Sequence, residues 1–170
     1  MSNEMDEIWD LFVDDGAQAM DAMETSLLAL EGLDDPLEQA SHIAALFRAV
    51  HTFKGNSRVL GLGVIESRAH LAEDLIGLVR DSGVALDAEI LELLIETGDR
   101  LRDMLTSAAT TRSDVEPDQT EDLCARLRSK IARCVGDPVP QDSAMDAGQN
   151  APVADETTER DTPTPACSSA

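Results

Sequence analysis

Apolar residues in the first thirty positions recur at Ile8, Phe12, Gly16, Ala19, Met23, Leu27 and Leu30, in steps of four, four, three, four, four and three. That is the period of one face of a helix packed in a bundle, and it predicts a helix over about Glu4–Glu31. Gly16 falls inside the seam, where it favours close helix packing over a turn. Gly32 and Asp34-Asp35-Pro36 end this helix, and they set Asp35 as the N-cap and Pro36 as the first residue of the next.

Four more segments show the same period. The second, Leu37–Leu60, turns Ile43, Leu46, Phe47, Val50, Phe53 and Ser57 inward and is punctuated by Gly61 and Gly63. A third covers about Val64–Asp81 with Leu71, Leu75 and Leu78 inward, closed by Ser82-Gly83. The fourth covers about Asp87–Ala108, with Asp87 as N-cap and Ile90, Leu94, Leu101 and Leu105 inward. A fifth spans roughly Pro117–Val135 through Leu123, Leu127 and Ile131. Short connections make neighbours antiparallel, so the expected fold is all-α: an up-down four-helix bundle with an additional fifth helix packed on it. Periodicity then stops. From Gly136 onward Pro138, Pro140, Pro152, Pro163 and Pro165 stand among Asp, Ser, Thr, Ala and Gln, the composition of a disordered tail or linker. Residues 1–135 therefore read as one domain and 136–170 as its tail.

Composition supports helices. Aromatic residues make up 2% of the chain, with one Trp and no Tyr, so the core must be built from aliphatic side chains, Met and Ala. No apolar run is long enough for a membrane span. The acidic start, Met1-Ser2-Asn3-Glu4-Met5-Asp6-Glu7, has no signal-peptide core, and the expected location is cytoplasmic. A formal charge of −21 repels nucleic acid and anionic membrane, which excludes both as expected partners. Cys124, Cys134 and Cys167 show no metal-binding spacing. Ten residues on one helix separate Cys124 from Cys134 by about 15 Å, beyond the reach of a disulfide.

Against this acidic background the second helix carries a cationic face. At about 100° per residue, Lys54 lies about 60° and Gly55 about 40° around the helix from His51, and Arg58 returns to within about 20° of it. A glycine inside a helix costs roughly 1 kcal/mol relative to alanine. A gap one turn from an imidazole makes sense where something bulky must approach the ring, and two cations suit an anionic visitor. That is the layout of a histidine that receives a phosphoryl group and hands it on. The plainer reading is a solvated His, Lys and Arg on a surface helix. His42, on the opposite side of the same helix, reads as a surface residue.

The third helix contains His70-Leu71-Ala72-Glu73, with His70 and Glu73 on one face. His51 precedes the Gly61 break by about as many residues as Glu73 follows Gly63, so an antiparallel hairpin brings them to one height. A carboxylate there, accepting a hydrogen bond from one imidazole nitrogen, fixes the tautomer that presents the other nitrogen's lone pair outward. A solvated His-Glu pair is the plainer alternative. Bundle metal sites use Glu-x-x-His on facing helices; the reversed order here, found once, argues for no metal. No glycine-rich phosphate loop and no Asp-x-Gly-x-Gly lid is present, so no nucleotide or other cofactor is expected.

These residues resemble the histidine phosphotransfer (HPt) domains, most closely the N-terminal phosphoacceptor domain of chemotaxis histidine kinases of the CheA type. The similarity covers about Met5–Val135. It is carried by Leu46-Phe47-Arg48-Ala49-Val50-His51-Thr52-Phe53-Lys54-Gly55, Gly61, His70-Leu71-Ala72-Glu73-Asp74-Leu75 and Ile90–Leu105. The resemblance implies a monomeric antiparallel bundle in which His51 is the acceptor, Lys54 its neighbouring lysine, Glu73 the orienting carboxylate and His70 a further histidine near the site. It implies a kinase ATP-binding domain as phosphoryl donor and a response-regulator receiver domain of the CheY or CheB type as recipient. Such a chain accepts and donates phosphoryl without itself hydrolysing ATP; the kinase activity belongs to a parent protein. Asn56 and Arg58 depart from the family pattern beside the expected docking face, which bears on receiver choice. The alternatives are a free-standing HPt relay protein and a helical adaptor that is not phosphorylated.

Overall fold

The computed structural model describes residues 2–136, and the tail expected over 136–170 lies, beyond its first residue, outside the described residues. Over the described residues there are five α-helices and one 3-10 turn: α1 (Ser2–Leu30), α2 (Pro36–Val59), α3 (Gly63–Asp81), α4 (Ala88–Thr111), the turn Pro117–Thr120 and α5 (Glu121–Gly136). No strand is present among the described residues. The helices α1 to α4 pack in a ring, each on its sequence neighbours and α1 on α4, while α5 lies on α3 and α4.

Local chemistry sets most helix ends. Asp35 caps α2 by accepting from the backbone N–H groups of Leu37 and Glu38 at 2.9 and 3.0 Å, with Pro36 in the first turn. Asp87 caps α4 through the Ile90 N–H at 2.7 Å. The α2–α3 turn closes with the Gly61 N–H on the Arg58 carbonyl and the Leu62 N–H on the Ser57 carbonyl, with Gly61 at φ +72°. That paired closure needs a left-handed residue, which glycine adopts without strain, and it buries Leu62 beneath the turn. A fixed turn of this length sets the register of α3 against α2.

The core runs down the middle of the ring. Met20, Met23, Leu46, Val50, Phe53, Ile65, Leu75, Ile76, Ile90, Leu94 and Leu101 are almost wholly buried. Phe12 stacks on Phe53 at 6.0 Å between ring centres. Gly16 has the packing role its place in the seam suggested. A Cβ there would lie 2.9 Å from Leu105 Cδ1 and 3.3 Å from Phe53 Cε2.

Several inward assignments are corrected. Ile8 is 42% exposed, and Trp9 takes the core position instead, set edge-on against Phe12 and covered by the Arg112 guanidinium. Phe47, Leu71 and Ile131 pack against the core as expected though half-buried, while Leu78 is half-buried without being among the residues packed on it. On α3 the burial falls to Ile65, Ala69, Ala72, Leu75 and Ile76, because this helix faces α2, α4 and α5 together and small residues allow the close approach. A seam drawn through leucines alone passes over those alanines. His42 is half-buried rather than a free surface residue.

Three long-range polar clusters fasten the fifth helix and the start of the third. Leu62, the N-cap of α3, provides no side-chain acceptor; Asp114, from the loop after α4, accepts from the Val64 and Ile65 N–H groups at 2.6 and 3.3 Å instead. The buried Arg68 guanidinium donates to Thr120 Oγ1, the Pro117 carbonyl and Glu121. Lys130, 6% exposed, donates to Asp87 and Glu89, both at 2.7 Å.

Removing the borrowed cap should weaken the bundle without changing its shape. Asp114→Ala should lower stability by about 1 kcal/mol, the usual worth of an N-cap side chain, with helicity unchanged in chemical denaturation. A midpoint equal to that of the unmutated protein would show that water caps α3 as well as Asp114 does.

Candidate functional site

Helix geometry aligns two side-chain rows along the α2–α3 seam. Phe47, His51, Lys54 and Arg58 follow at steps of four, three and four on α2. Glu66, Glu73, Gly77 and Arg80 run the opposite way on α3. Contacts between the rows occur in antiparallel order. Arg58 Nε lies 3.9 Å from Glu66, Lys54 and His51 both reach Glu73, and Phe47 sits over Gly77 and Arg80.

Glu73 is the centre. Its Oε1 accepts from Lys54 Nζ at 2.9 Å and lies 3.2 Å from His51 Nδ1. Glu73 is 12% exposed while the His51 side chain is 62% exposed, so the carboxylate is sheltered and the imidazole projects from the surface. The second oxygen, Oε2, is buried and meets no donor among the described residues. Burial pushes the Glu73 carboxyl up, but the hydrogen bonds from Lys54 and His51, with the charge of Lys54, outweigh it and hold the group below its ordinary value. Glu73 is therefore ionised near neutrality and can only accept. An imidazole bonded to it through Nδ1 must donate from that nitrogen, so in the neutral ring the lone pair is on Nε2.

Lys54 is turned to Glu73 and is 21% exposed. Gly55 leaves open space; a Cβ there would meet nothing within 4 Å. Arg58 stands two turns beyond His51, 80% exposed. Asn56 faces the other neighbour, α1, with Nδ2 3.5 Å from Asp15 Oδ2. His70 is not drawn into the cluster by its hydrogen bond, since its ring pairs with Asp74 at 3.3 Å. Among the described residues no group of three His, Cys, Asp or Glu side chains is placed to hold a metal ion, and no helix is long and apolar enough to cross a membrane.

A stack on His51, and the residue that covers it, escaped the sequence reading. The Phe47 ring, assigned to the core stripe, lies nearly parallel to the imidazole at 6.0 Å, and the Arg80 guanidinium covers it at 3.6 Å. Phe47 stands one turn before His51, and Arg80 two turns after Glu73, so helical spacing places both at the seam.

On the other side of α2, Ile8, Leu11, Phe12, Asp15, Asn56, Val59 and Leu60 line a shallow cleft. Met5, Ile8, Leu11 and Val59 are exposed at 56, 42, 61 and 78%, an apolar surface on a strongly acidic chain.

A model of the Hpt domain family matches residues 7–111, which cover nearly all of α1 and run through α4. The chain also aligns with the crystal structure of the phosphorylated P1 domain of CheA3 in complex with CheY6 from R. sphaeroides. The two are 64% identical with a TM-score of 0.72, over 76% of this chain and 98% of that one. The chemotaxis protein CheA of Salmonella typhimurium is 28% identical over 142 residues, 82% of this chain and 20% of that protein. The CheA of Cereibacter sphaeroides is 34% identical over 110 residues, 63% of this chain and 16% of that protein. The chain spans about a fifth of the length of these curated relatives.

The lowered Glu73 carboxyl fixes the sign of a pH effect. A group whose folded value is depressed stabilises the fold above its unfolded value, and that contribution is lost as pH falls through the folded value. The Glu73 carboxyl carbon, followed by NMR, should titrate below the ordinary 4.5, and Glu73→Gln should remove one part of the acid destabilisation. A midpoint at or above 4.5 would mean that burial outweighs Lys54 and His51.

Proposed function

The chain belongs to the Hpt domain family, and from that premise we propose that His51 accepts a phosphoryl group from a kinase ATP-binding domain and passes it to an aspartate of a response-regulator receiver in chemotaxis signalling. The observation that carries this reading is the exposed imidazole whose Nδ1 is held by a sheltered carboxylate, leaving Nε2 free.

The Nε2 lone pair attacks the γ-phosphorus of ATP held by the kinase domain. The bond from that phosphorus to the bridging oxygen breaks, and its electrons leave with ADP. No proton has to be removed from Nε2, because the tautomer set by Glu73 has none there. The Nδ1 proton stays in the hydrogen bond to Glu73, which stabilises the positive charge the ring acquires. Lys54 shares the same carboxylate oxygen and lowers the Glu73 carboxyl further, so it remains an acceptor. In the second step a carboxylate oxygen of the receiver attacks phosphorus, the N–P bond breaks, and its electrons return to Nε2.

Access is built into the same helix. Gly55 leaves room beside the ring, and the α1–α2 cleft at Asn56 and Val59 begins one to two turns on. The apolar surface of Met5, Ile8, Leu11 and Val59 serves the receiver as a docking face, with Arg58 a cation at its rim. The similar P1 domain is crystallised with CheY6, in keeping with this assignment. Residues 1–135 carry the activity and 136–170 serve as tail or linker; the work is cytoplasmic.

Incubation with a histidine kinase and ATP should place acid-labile, alkali-stable phosphate on the protein. His51→Gln should fold and take none; substantial labelling of that variant would sink the assignment. Glu73→Ala should slow labelling about a hundredfold, at the low end for a group that assists proton chemistry.

Arg58 is too far along the helix to touch a phosphoryl group on His51, at about 10 Å of rise. Rim charges act mainly on the on-rate and its salt dependence. Arg58→Ala should leave labelling intact, while transfer to the preferred receiver slows about two- to fivefold and loses salt sensitivity. Equal loss at both steps would show that Arg58 belongs to the acceptor site.

A further inference from the structure

We propose that Phe47 and Arg80 are positioning residues for the His51 imidazole, setting the plane of the ring while Glu73 sets its tautomer. The proposal rests on the phosphoacceptor reading for its consequence, though the contacts themselves do not depend on it.

A single hydrogen bond cannot aim an imidazole. The contact between Nδ1 and Glu73 Oε1 pins one vertex, and the ring remains free to tip about that line. The terminal torsion of histidine is broad and soft. The Nε2 lone pair lies in the ring plane, so tipping swings it away from an incoming phosphorus. A second constraint that fixes the plane is needed, and the seam supplies one. Phe47 lies within 13° of parallel to the imidazole with centres 6.0 Å apart, in the range of offset-stacked rings.

The Phe47 ring is itself held. It is only half-buried, so the core alone does not lock it. A Cβ on Gly77 would stand 3.8 Å from Phe47 Cε2, so the ring lies against α3 where that helix has no side chain. The Arg80 guanidinium covers the ring at 3.6 Å, within cation–π range. The guanidinium is in turn fixed by two donations to Asp81, from Nε at 2.7 Å and Nη2 at 2.6 Å. A planar guanidinium offers what an ammonium cannot, a flat cover with its donors still engaged. The order is therefore Asp81 to Arg80 to Phe47 to His51, parallel to the link from Lys54 through Glu73 to His51. Misaligning a reacting group by small distances costs large factors in rate.

The test uses the 170-residue protein with phosphoramidate as donor, so that no docking partner enters. The Nε2 lone pair attacks the phosphorus of phosphoramidate and ammonia leaves. Ring-proton shifts of His51 are read in the same samples, since a stacked phenyl ring displaces them from their solution values. A stacked pair corresponds to a factor of about two to ten in the population of one ring orientation. Phe47→Leu, which keeps apolar bulk, should label about fivefold more slowly, with His51 ring protons moved toward solution values. Phe47→Tyr should restore both. Arg80→Lys, keeping the charge without the plane, should lose about twofold.

Labelling of Phe47→Leu at the unmutated rate, or equal losses in Phe47→Leu and Phe47→Tyr, would overturn the proposal. Arg80→Lys at the unmutated rate would overturn the role of Arg80. Should Phe47→Leu not fold, the unmutated protein decides: His51 ring protons at solution values would refute the stack. Failure of the unmutated protein to take phosphate at all would count against the phosphoacceptor reading, while the shifts would still decide the stack.

Discussion

One carboxylate oxygen, Glu73 Oε1, takes hydrogen bonds from both Lys54 and His51, and that shared acceptor organises the α2–α3 seam. Each partner needs the other two. Without Lys54, the burial that raises the Glu73 carboxyl would be opposed by His51 alone. Without Glu73, either imidazole nitrogen could carry the proton. Without the exposure of His51, a fixed lone pair would face nothing. The exposed imidazole and the sheltered carboxylate are separate demands, met because the two residues project from different helices at one height.

That common height is a property of the backbone. The α2–α3 turn has a length set by Gly61, and the α3 register is fixed by that turn and by the cap that Asp114 gives its first N–H groups. Arg68, through Glu121, and Lys130 then fasten α5 to α3 and α4 from the far side. The family match ends at residue 111, so the residue that caps α3 and the helix packed on it both lie past the matched span. The α2–α3 seam is braced from outside the four-helix ring.

Helix boundaries were legible where their chemistry is local: Asp35-Pro36 and Asp87 state their own caps, and Gly61 its own turn. The height of Glu73 opposite His51 was legible too, because residue counting from a short turn is enough to place two positions in an antiparallel hairpin. Contacts that join residues fifty positions apart were not, and Asp114 reads as an unremarked loop aspartate until α3 is beside it. The alanines of α3 were missed because a search for large apolar residues overlooks a helix buried on three sides. Choices of rotamer were equally hidden. Spacing makes Lys54 and Glu73, His70 and Asp74, and Phe47 and His51 neighbours, but it does not say that Lys54 turns to Glu73, that His70 takes Asp74, or that the Phe47 ring, still packed against the core, also lies along an imidazole.

The claim on which the account turns is the tautomer of His51, and two-bond proton–nitrogen NMR of the imidazole reads it directly. Near neutral pH the account predicts a protonated Nδ1 and an unprotonated Nε2, and a mixture of both neutral forms once Glu73 is replaced by Gln. A proton on Nε2 in the unmutated protein, or a nitrogen pattern indifferent to the Glu73 replacement, would contradict it.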